Sequence, residues 1–177
     1  MIDTEVMKIP AERVHVLIGE EGATKKSIES KCNVKLQIDK DGDVEITGDP
    51  ADIFFAKDVV KAIGRGFPPN QAMKLMDHDF GLYIIPLKDI AGSDKAIVRL
   101  KGRVIGENGK IKSRIEDATD SFLSIYGNTI AIISRTDTME YAKESVMMIL
   151  EGAMHATVLS FLARTQREIM ENRLRGR

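Results

Sequence analysis

The 177-residue sequence predicts an α+β protein made of two tandem copies of one fold, followed by a single extra helix. Three observations support this prediction. The motif Ile-Gly-Glu-x-Gly occurs at residues 18–22 and again at residues 105–109. An alternating apolar and polar segment, typical of a half-buried strand, follows each motif. A stretch rich in glycine and proline, residues 64–70, separates the two copies.

The two copies stay in register beyond the shared motif. In the helix and strand directly after the motif, residues separated by the same offset as the motifs are identical at five positions. The matching pairs are Lys25 and Lys112, Ile28 and Ile115, Glu29 and Glu116, Leu36 and Leu123, and Ile38 and Ile125. Chance does not produce the same spacing through a helix and a following strand, so the repeat indicates a duplicated domain.

The first copy is predicted to have the order strand, helix, helix, strand, strand, helix. The predicted strands are residues 5–9, 34–38 and 44–46, and the predicted helices are residues 11–18, 23–31 and 50–64. Residues 39–43 have the composition of a turn. Asp49 and Pro50 suit the N-cap and the first position of the third helix, whose apolar residues recur every three or four positions.

The second copy repeats this order and is followed by a helix that the first copy lacks. The predicted strands are residues 80–86, 122–126 and 129–134, and the predicted helices are residues 93–104, 110–118, 136–150 and about 154–172. Gly127 and Asn128 are a two-residue hairpin signal. We therefore divide the chain into a first domain at residues 1–66, a linker at 67–79, a second domain at 80–152 and a helical extension at 153–177.

Composition restricts the classes of function. With 26 basic and 27 acidic side chains the net charge is -1, so any surface that binds anions must be local. No apolar segment approaches the roughly 20 residues that span a bilayer, and residues 1–8 lack the features of a signal peptide, so we expect a cytoplasmic protein. The single cysteine, Cys32, cannot form an internal disulfide and has no second cysteine with which to share a zinc ion.

Catalysis has little support in the sequence. His15, His78 and His155 lie in separate predicted elements without metal-ligand spacing, and no nucleophile motif or P-loop is present. We therefore expect a protein that is not an enzyme and that binds no cofactor or metal.

Positive charge is concentrated around the second motif. Residues 95–114 contain seven basic side chains and one acid, Glu107, a net charge of +6, whereas the equivalent residues 8–27 contain four basic and three acidic side chains, a net charge of +1. Both variable positions of the first motif are acidic, Glu20 and Glu21, and would repel a phosphate. The second copy is predicted to be the better anion binder.

A Gly-x-x-Gly loop between two helices allows the backbone to turn tightly and to approach a bulky anion, toward which the second helix presents its N-terminal amides. With this loop, its flanking helices and the alternating strands, the chain resembles the KH domain, a single-strand nucleic-acid-binding module, in tandem over nearly its whole length. The resemblance implies the type I arrangement, a three-stranded antiparallel sheet with helices on one face. It also implies a loop that clamps the backbone of about four nucleotides.

The resemblance implies an RNA-binding site on the second copy and a secondary site on the first. In the second copy the site comprises Arg99, Lys101, Arg103, Ile105, Gly106, Glu107, Asn108, Gly109, Lys110, Lys112, Arg114, Leu123 and Ile125, with Ile115 beside them. The secondary site comprises Ile18, Gly19, Gly22, Lys25 and Lys26. The apolar members of the first set have an alternative interpretation as plain core. The absence of Trp, with only 3 Tyr and 6 Phe, favours an aliphatic groove over an aromatic stacking platform.

Two such copies, a more basic second loop and a basic C-terminal helix resemble the archaeal relatives of the partner-of-Nob-one ribosome-assembly proteins. The resemblance implies binding near the 3′ end of small-subunit ribosomal RNA, next to the site cut by the Nob-one endonuclease. It further implies contact with the alpha subunit of translation initiation factor two. Two alternatives stay open, namely a protein-binding KH adaptor and a regulator that binds messenger or transfer RNA.

Overall fold

Each copy of the repeat forms a three-stranded antiparallel sheet in the computed structural model, which describes residues 1–176. The strands of the first sheet are β1 (Asp3–Lys8), β2 (Lys35–Ile38) and β3 (Asp43–Gly48), and those of the second are β4 (Phe80–Pro86), β5 (Ser121–Tyr126) and β6 (Thr129–Arg135). The strand orders are β1-β3-β2 and β4-β6-β5. The last strand of each copy is therefore central, and β2 and β5 are edge strands.

The helices of the first copy follow the predicted order. They are α1 (Val14–Ile18), α2 (Ala23–Cys32) and α3 (Pro50–Gly64). The first predicted helix is divided, because residues Ala11–Arg13 form a 3-10 turn before α1. Asp49 occupies the N-cap position of α3, but its carboxylate lies 3.3 Å from the N-terminal ammonium of Met1 and does not cap the helix.

Residues 67–79 fold onto the first copy instead of forming the expected linker. They contain a short helix, α4 (Pro69–Ala72), and a 3-10 turn, and both pack against α3. Phe67 and Ala72 are fully buried. The Arg13 guanidinium holds the segment in place, because its Nη2 donates to the Phe67 carbonyl at 2.9 Å. The first compact unit accordingly extends over Met1–Phe80.

The second unit adds four helices to its sheet. They are α5 (Asp94–Ile105), α6 (Lys110–Thr119), α7 (Met139–Leu150) and α8 (His155–Leu174). Helix α7 begins three residues later than predicted, because the chain turns first, with the Thr138 amide donating to the Arg135 carbonyl at 3.1 Å.

In both units the core lies between the sheet and the helices. The central strands contribute Val44 and Ile46 in the first unit and Ile130 and Ile132 in the second, all fully buried. Burying each such side chain contributes about 1.5–3 kcal/mol. Helix α8 buries its predicted stripe, Val158, Leu162, Thr165 and Ile169, and packs against α6 and α7. The extension is thus part of the second unit.

Candidate nucleic-acid interface

The two Gly-x-x-Gly loops have the same backbone conformation. The φ and ψ angles in the second loop are 73° and 176° at Gly106, 54° and 27° at Asn108, and 74° and 12° at Gly109. The corresponding angles in the first loop are 75° and 175° at Gly19, 51° and 27° at Glu21, and 76° and 15° at Gly22. The repeated sequence therefore builds the same clamp twice.

The two glycines of the second loop have different roles. Gly106 combines positive φ with extended ψ, a region that is essentially restricted to glycine, and a Cβ there would lie 2.4 Å from the Ile111 side chain. Gly109 has left-handed φ and ψ, and a Cβ there would meet no heavy atom within 4 Å. Gly106 thus permits the fold of the loop, whereas Gly109 leaves space for a partner to approach the backbone.

Helix α6 begins directly after this open position. Gly109 is its N-cap and supplies no capping side chain, so no side chain satisfies the amides of the first turn. These donors and the positive end of the helix dipole point toward the space above the loop. This arrangement suits a phosphate group.

Glu116 of α6 binds the neighbouring strand β5 and so fixes one side of the groove. The Glu116 Oε1 atom accepts a hydrogen bond from the Leu123 amide of β5 at 2.9 Å, and Glu29 does the same for Leu36 of β2 at 2.8 Å. In the sequence this glutamate pair is visible only as a repeat match, and its role is not. The identity of Glu29 and Glu116 at the offset of the two loops was the available signal.

The predicted aliphatic groove is only partly exposed. Ile105 is 36% exposed and Ile125 is half-buried, so both can meet a base. In contrast, Leu123 and Ile115 are 3% and 0% exposed. Leu123 was assigned to the site, but its side chain is buried in the core, whereas Ile125, two residues further along the same face, is only partly covered.

Several of the predicted basic residues are held by the protein itself. Arg103 donates from Nη1 to the Ile149 carbonyl at 2.7 Å and from Nη2 to the Ala153 carbonyl, so its guanidinium caps the end of α7. The Lys101 Nζ atom donates to the Gly127 carbonyl at 2.9 Å. The guanidinium of Arg103 therefore serves the fold, while its contact with RNA stays a prediction.

The remaining predicted cations are more accessible. Arg99 and Lys110 are exposed and have no hydrogen bond or ion pair within residues 1–176. The Lys112 ammonium lies 3.5 Å from Glu116, and Arg114 donates to Gln166 of α8 at 3.0 Å through one of its five N–H groups. The exposed cations that remain thus lie on α5 and at the start of α6, on either side of the loop in the sequence.

The first loop carries one more negative charge than the second on the same backbone. Glu20 and Glu21 are exposed at its tip, whereas Lys26 is exposed and Lys25 half-buried on the helix that follows. Ile18 is half-buried, as expected for a groove or a core position. The residues of the predicted secondary site therefore surround a loop of the same conformation, but with two carboxylates where the second loop has Glu107 and Asn108.

The histidines and the acidic turn form no site of their own. His155 Nε2 lies 3.0 Å from the Arg103 carbonyl, and the His78 ring packs edge-on against Phe55. Asp39 accepts hydrogen bonds from the Asp41 and Asp43 amides, and the bond from Asp43 is the main cause of its lowered pKa. Within residues 1–176 no three His, Cys, Asp or Glu side chains are grouped as metal ligands. In the same range, no helix has the length and apolarity needed to cross a membrane.

Comparison with known proteins agrees with the geometry. Residues 81–167 match the family described as "Eukaryotic type KH-domain (KH-domain type I)", in its partner-of-Nob-one form, and residues 4–62 match the "KH domain" family. Both families are binding modules, and neither is an enzyme family. The KH domain-containing protein MJ0443 of Methanocaldococcus jannaschii is 47% identical over 174 residues, which cover 96% of this chain and 77% of that protein.

Solved archaeal structures have the same fold. Dim2p of Pyrococcus horikoshii OT3 is 39% identical with a TM-score of 0.85, covering 92% of this chain and 99% of that one. The a/eIF2alpha–aDim2p–rRNA complex from the same organism matches with 38% identity and a TM-score of 0.88, covering 95% and 96%. APE0754 of Aeropyrum pernix, a protein of unknown function, matches with 33% identity and a TM-score of 0.90, covering 99% and 97%.

Two type I KH domains with intact Gly-x-x-Gly loops, and relatives that match almost the whole chain, place this protein in the tandem-KH family of RNA-binding proteins to which archaeal Dim2p belongs.

Proposed function

We propose that this protein binds single-stranded RNA through its second KH domain, and that the RNA is the 3′ region of small-subunit ribosomal RNA during ribosome assembly. The observation that carries the proposal is the second loop. Its backbone is open at Gly109, uncapped amides follow in α6, and the free cations Arg99 and Lys110 flank it. That a Pyrococcus relative was crystallised with rRNA supports the choice of RNA.

In this proposal, different groups of the protein bind the RNA backbone and the RNA bases. The α6 amides and the flanking cations position the phosphates, a contact that carries no sequence information. Ile105 and Ile125 offer apolar surface against which bases pack, while Glu116 keeps β5 at a constant distance from α6. Sequence preference then comes from the base edges along β5, as in other KH domains.

The proposed partners are proteins of the same assembly step. The alpha subunit of initiation factor two is one, because a relative forms a complex with that protein and rRNA. The Nob-one endonuclease is the other, on the basis of the family resemblance, since its cut site lies next to the RNA proposed here. In this scheme the chain positions RNA for a separate nuclease and performs no chemistry.

Crosslinking the protein to RNA in its own cells and sequencing the bound fragments tests the proposal. We expect the reads to accumulate at the 3′ end of small-subunit rRNA. Reads concentrated on messenger or transfer RNA would instead indicate a regulator. In parallel, affinity for a ten-nucleotide strand from that end is measured against salt concentration. Three or four phosphate contacts predict a slope of about 2 to 3 in log affinity against log salt.

A protein-binding adaptor is the second candidate, and one observation favours it. The first loop has the complete clamp geometry but carries Glu20 and Glu21 at its exposed tip, which suits a protein surface better than a phosphate. A salt slope near zero, together with tight binding to the initiation-factor subunit, would support this function over RNA binding.

A further inference from the structure

The tip of the second hairpin is held at two points. Strands β5 and β6 are joined by the two-residue turn Gly127–Asn128, and the pairing of the two strands ends just before this turn. The Lys101 Nζ atom of α5 donates to the Gly127 carbonyl at 2.9 Å, and the amide of the fully buried Leu87 donates to the Asn128 carbonyl at 2.8 Å. The two turn carbonyls are therefore bound by α5 and by the segment that precedes it.

The Lys101–Gly127 bond joins the two elements that carry the apolar residues of the groove. Ile105, which is 36% exposed, lies four residues after Lys101 on α5, about one helical turn away. Ile125, which is half-buried, lies two residues before Gly127 on β5. A change in this bond would therefore change the distance between the two surfaces against which bases are proposed to pack.

Strand β5 needs such support because it is an edge strand, with only β6 beside it in the sheet. Glu116 of α6 accepts a hydrogen bond from the Leu123 amide at 2.9 Å, and Lys101 binds the Gly127 carbonyl just beyond the end of the strand. Ile125 lies midway between these two points in the sequence. Its position relative to α5 and α6 is thus fixed by one bond on each side.

The first unit repeats the backbone bond but not the lysine bond. Its hairpin tip is held by the Ile9 amide, which donates to the Gly42 carbonyl at 2.9 Å. The position that matches Lys101 is Val14, which is 9% exposed and has no donor in its side chain. Support of the hairpin from this position of the helix is therefore specific to the second unit, the unit in which the proposed function places RNA binding.

We propose that Lys101 is a positioning residue for RNA recognition, which acts by holding the β5 side of the groove in place and not by contacting a phosphate. This inference rests on the proposed function. A groove that is ordered before RNA arrives leaves less ordering for binding to supply, so affinity rises without an added contact to RNA. Since such a lysine releases no counterion from a phosphate, the salt dependence of binding should not depend on it.

The test compares two lysines in the full chain. Lys101→Met keeps the apolar stem and removes the ammonium, and Lys110→Met does the same for an exposed cation at the start of α6. Each variant is titrated at several salt concentrations against a ten-nucleotide strand from the 3′ end of small-subunit rRNA. Amide hydrogen exchange of residues 126–129 is measured without RNA.

The two variants should differ in both measurements. For Lys101→Met we expect about threefold to tenfold weaker binding, because fewer molecules hold the hairpin in the binding position, with an unchanged salt slope and faster exchange in the hairpin. For Lys110→Met we expect a slope lower by about 0.7, the contribution of one single-strand phosphate contact, with unchanged exchange. Lys101→Arg keeps a donor for the carbonyl and should restore the slow exchange and most of the affinity.

Three results would overturn the inference and leave the proposed function intact. They are unchanged RNA affinity in Lys101→Met, unchanged hairpin exchange in that variant, and a salt slope that falls by about 0.7, as for a phosphate contact. If the unmodified chain does not bind the strand, the proposed function itself fails, and the role of Lys101 in RNA recognition fails with it.

Discussion

The two loops of this protein share one backbone and differ in chemistry. Their φ and ψ angles agree within a few degrees, including the left-handed residue at the third position. That residue is Glu21 in the first loop and Asn108 in the second. The comparison shows that the glycine pattern sets the shape of the loop. We expect one side chain at the tip and the cations around it to determine whether the loop binds a phosphate.

A second comparison shows that counting charges overstated the number of unoccupied cations in both units alike. In each unit one arginine holds the end of the third long helix. Arg13 donates to the carbonyls of Ile63 and Phe67, and Arg103 donates to those of Ile149 and Ala153. The two arginines are not at matching positions of the repeat. Both units therefore use the donors of one basic side chain to hold backbone carbonyls of the fold.

The largest expected effect is a difference in stability between variants of Gly106 and Gly109, the two glycines of the second loop. We predict that Gly106→Ala destabilises the second unit by roughly 2–4 kcal/mol, because the new Cβ would both clash with Ile111 and occupy a backbone region that disfavours it. Gly109→Ala, whose Cβ meets no neighbour, should cost only about 1 kcal/mol from its left-handed φ. Urea titration followed by circular dichroism measures both. Equal losses would mean that the two glycines have one common role.

The next largest effect is a difference in RNA affinity between the same glycine substitution made in the second loop and in the first. Gly109→Asp places a carboxylate where the backbone should meet phosphate, and we predict a loss of RNA affinity of about tenfold to a hundredfold, the equivalent of one charged hydrogen bond. Gly22→Asp, the same change in the first loop, should reduce affinity little. Fluorescence titration with a labelled ten-nucleotide strand provides the measurement. If both variants lose affinity equally, the units share the RNA and the proposed division between them is wrong.

A smaller effect tests the residue that distinguishes the loop tips. Asn108→Glu gives the second loop the tip of the first, and we expect about fivefold weaker RNA binding, because one unit of opposing charge near a solvated phosphate is worth about 1 kcal/mol. The reverse change, Glu21→Asn, should slightly raise both RNA affinity and the melting temperature, since asparagine tolerates left-handed backbone better than glutamate. Titration and thermal melting of the two variants would contradict the comparison if neither moved in its expected direction.

The smallest expected effect concerns Cys32 in the first unit and Thr119 in the second, which occupy matching buried positions. Burial, and secondarily the charge of Asp52, raises the pKa of Cys32 to about 11. We therefore expect no alkylation of this thiol by iodoacetamide at pH 8 until the chain unfolds. Because the unfolded thiol ionises first, at about pH 9, the first unit should lose stability as pH rises from 9 toward 11.

The second unit has Thr119 at the matching position, with its hydroxyl bonded to the Ile115 carbonyl at 2.7 Å. A Cys32→Thr variant should therefore lack this alkaline loss of stability. Rapid alkylation of the folded protein at pH 8, or an unchanged alkaline profile in the variant, would contradict the assignment.

The sequence alone determined the features that depend on local spacing. The duplicated domain, the order of its elements, the span of β4 and the position of both loops follow from periodicity and from glycine at fixed offsets. These features are predictable because a helix, a strand or a tight turn is formed by residues near one another in the chain, and because only glycine adopts the conformation found at Gly19 and Gly106.

Only the tertiary structure decided which side chains of the candidate site are free. Arg103 and Lys101 are occupied by carbonyls 46–50 and 26 residues away, and Arg114 is bonded to a side chain 52 residues away. The burial of Leu123 depends on helices elsewhere in the second unit, and the segment after α3 is held in part by Arg13, 54 residues before Phe67. A pattern of charge or hydrophobicity shows which contacts a side chain is able to make. The contacts that occupy the side chain form with segments that come close to it only after the chain has folded.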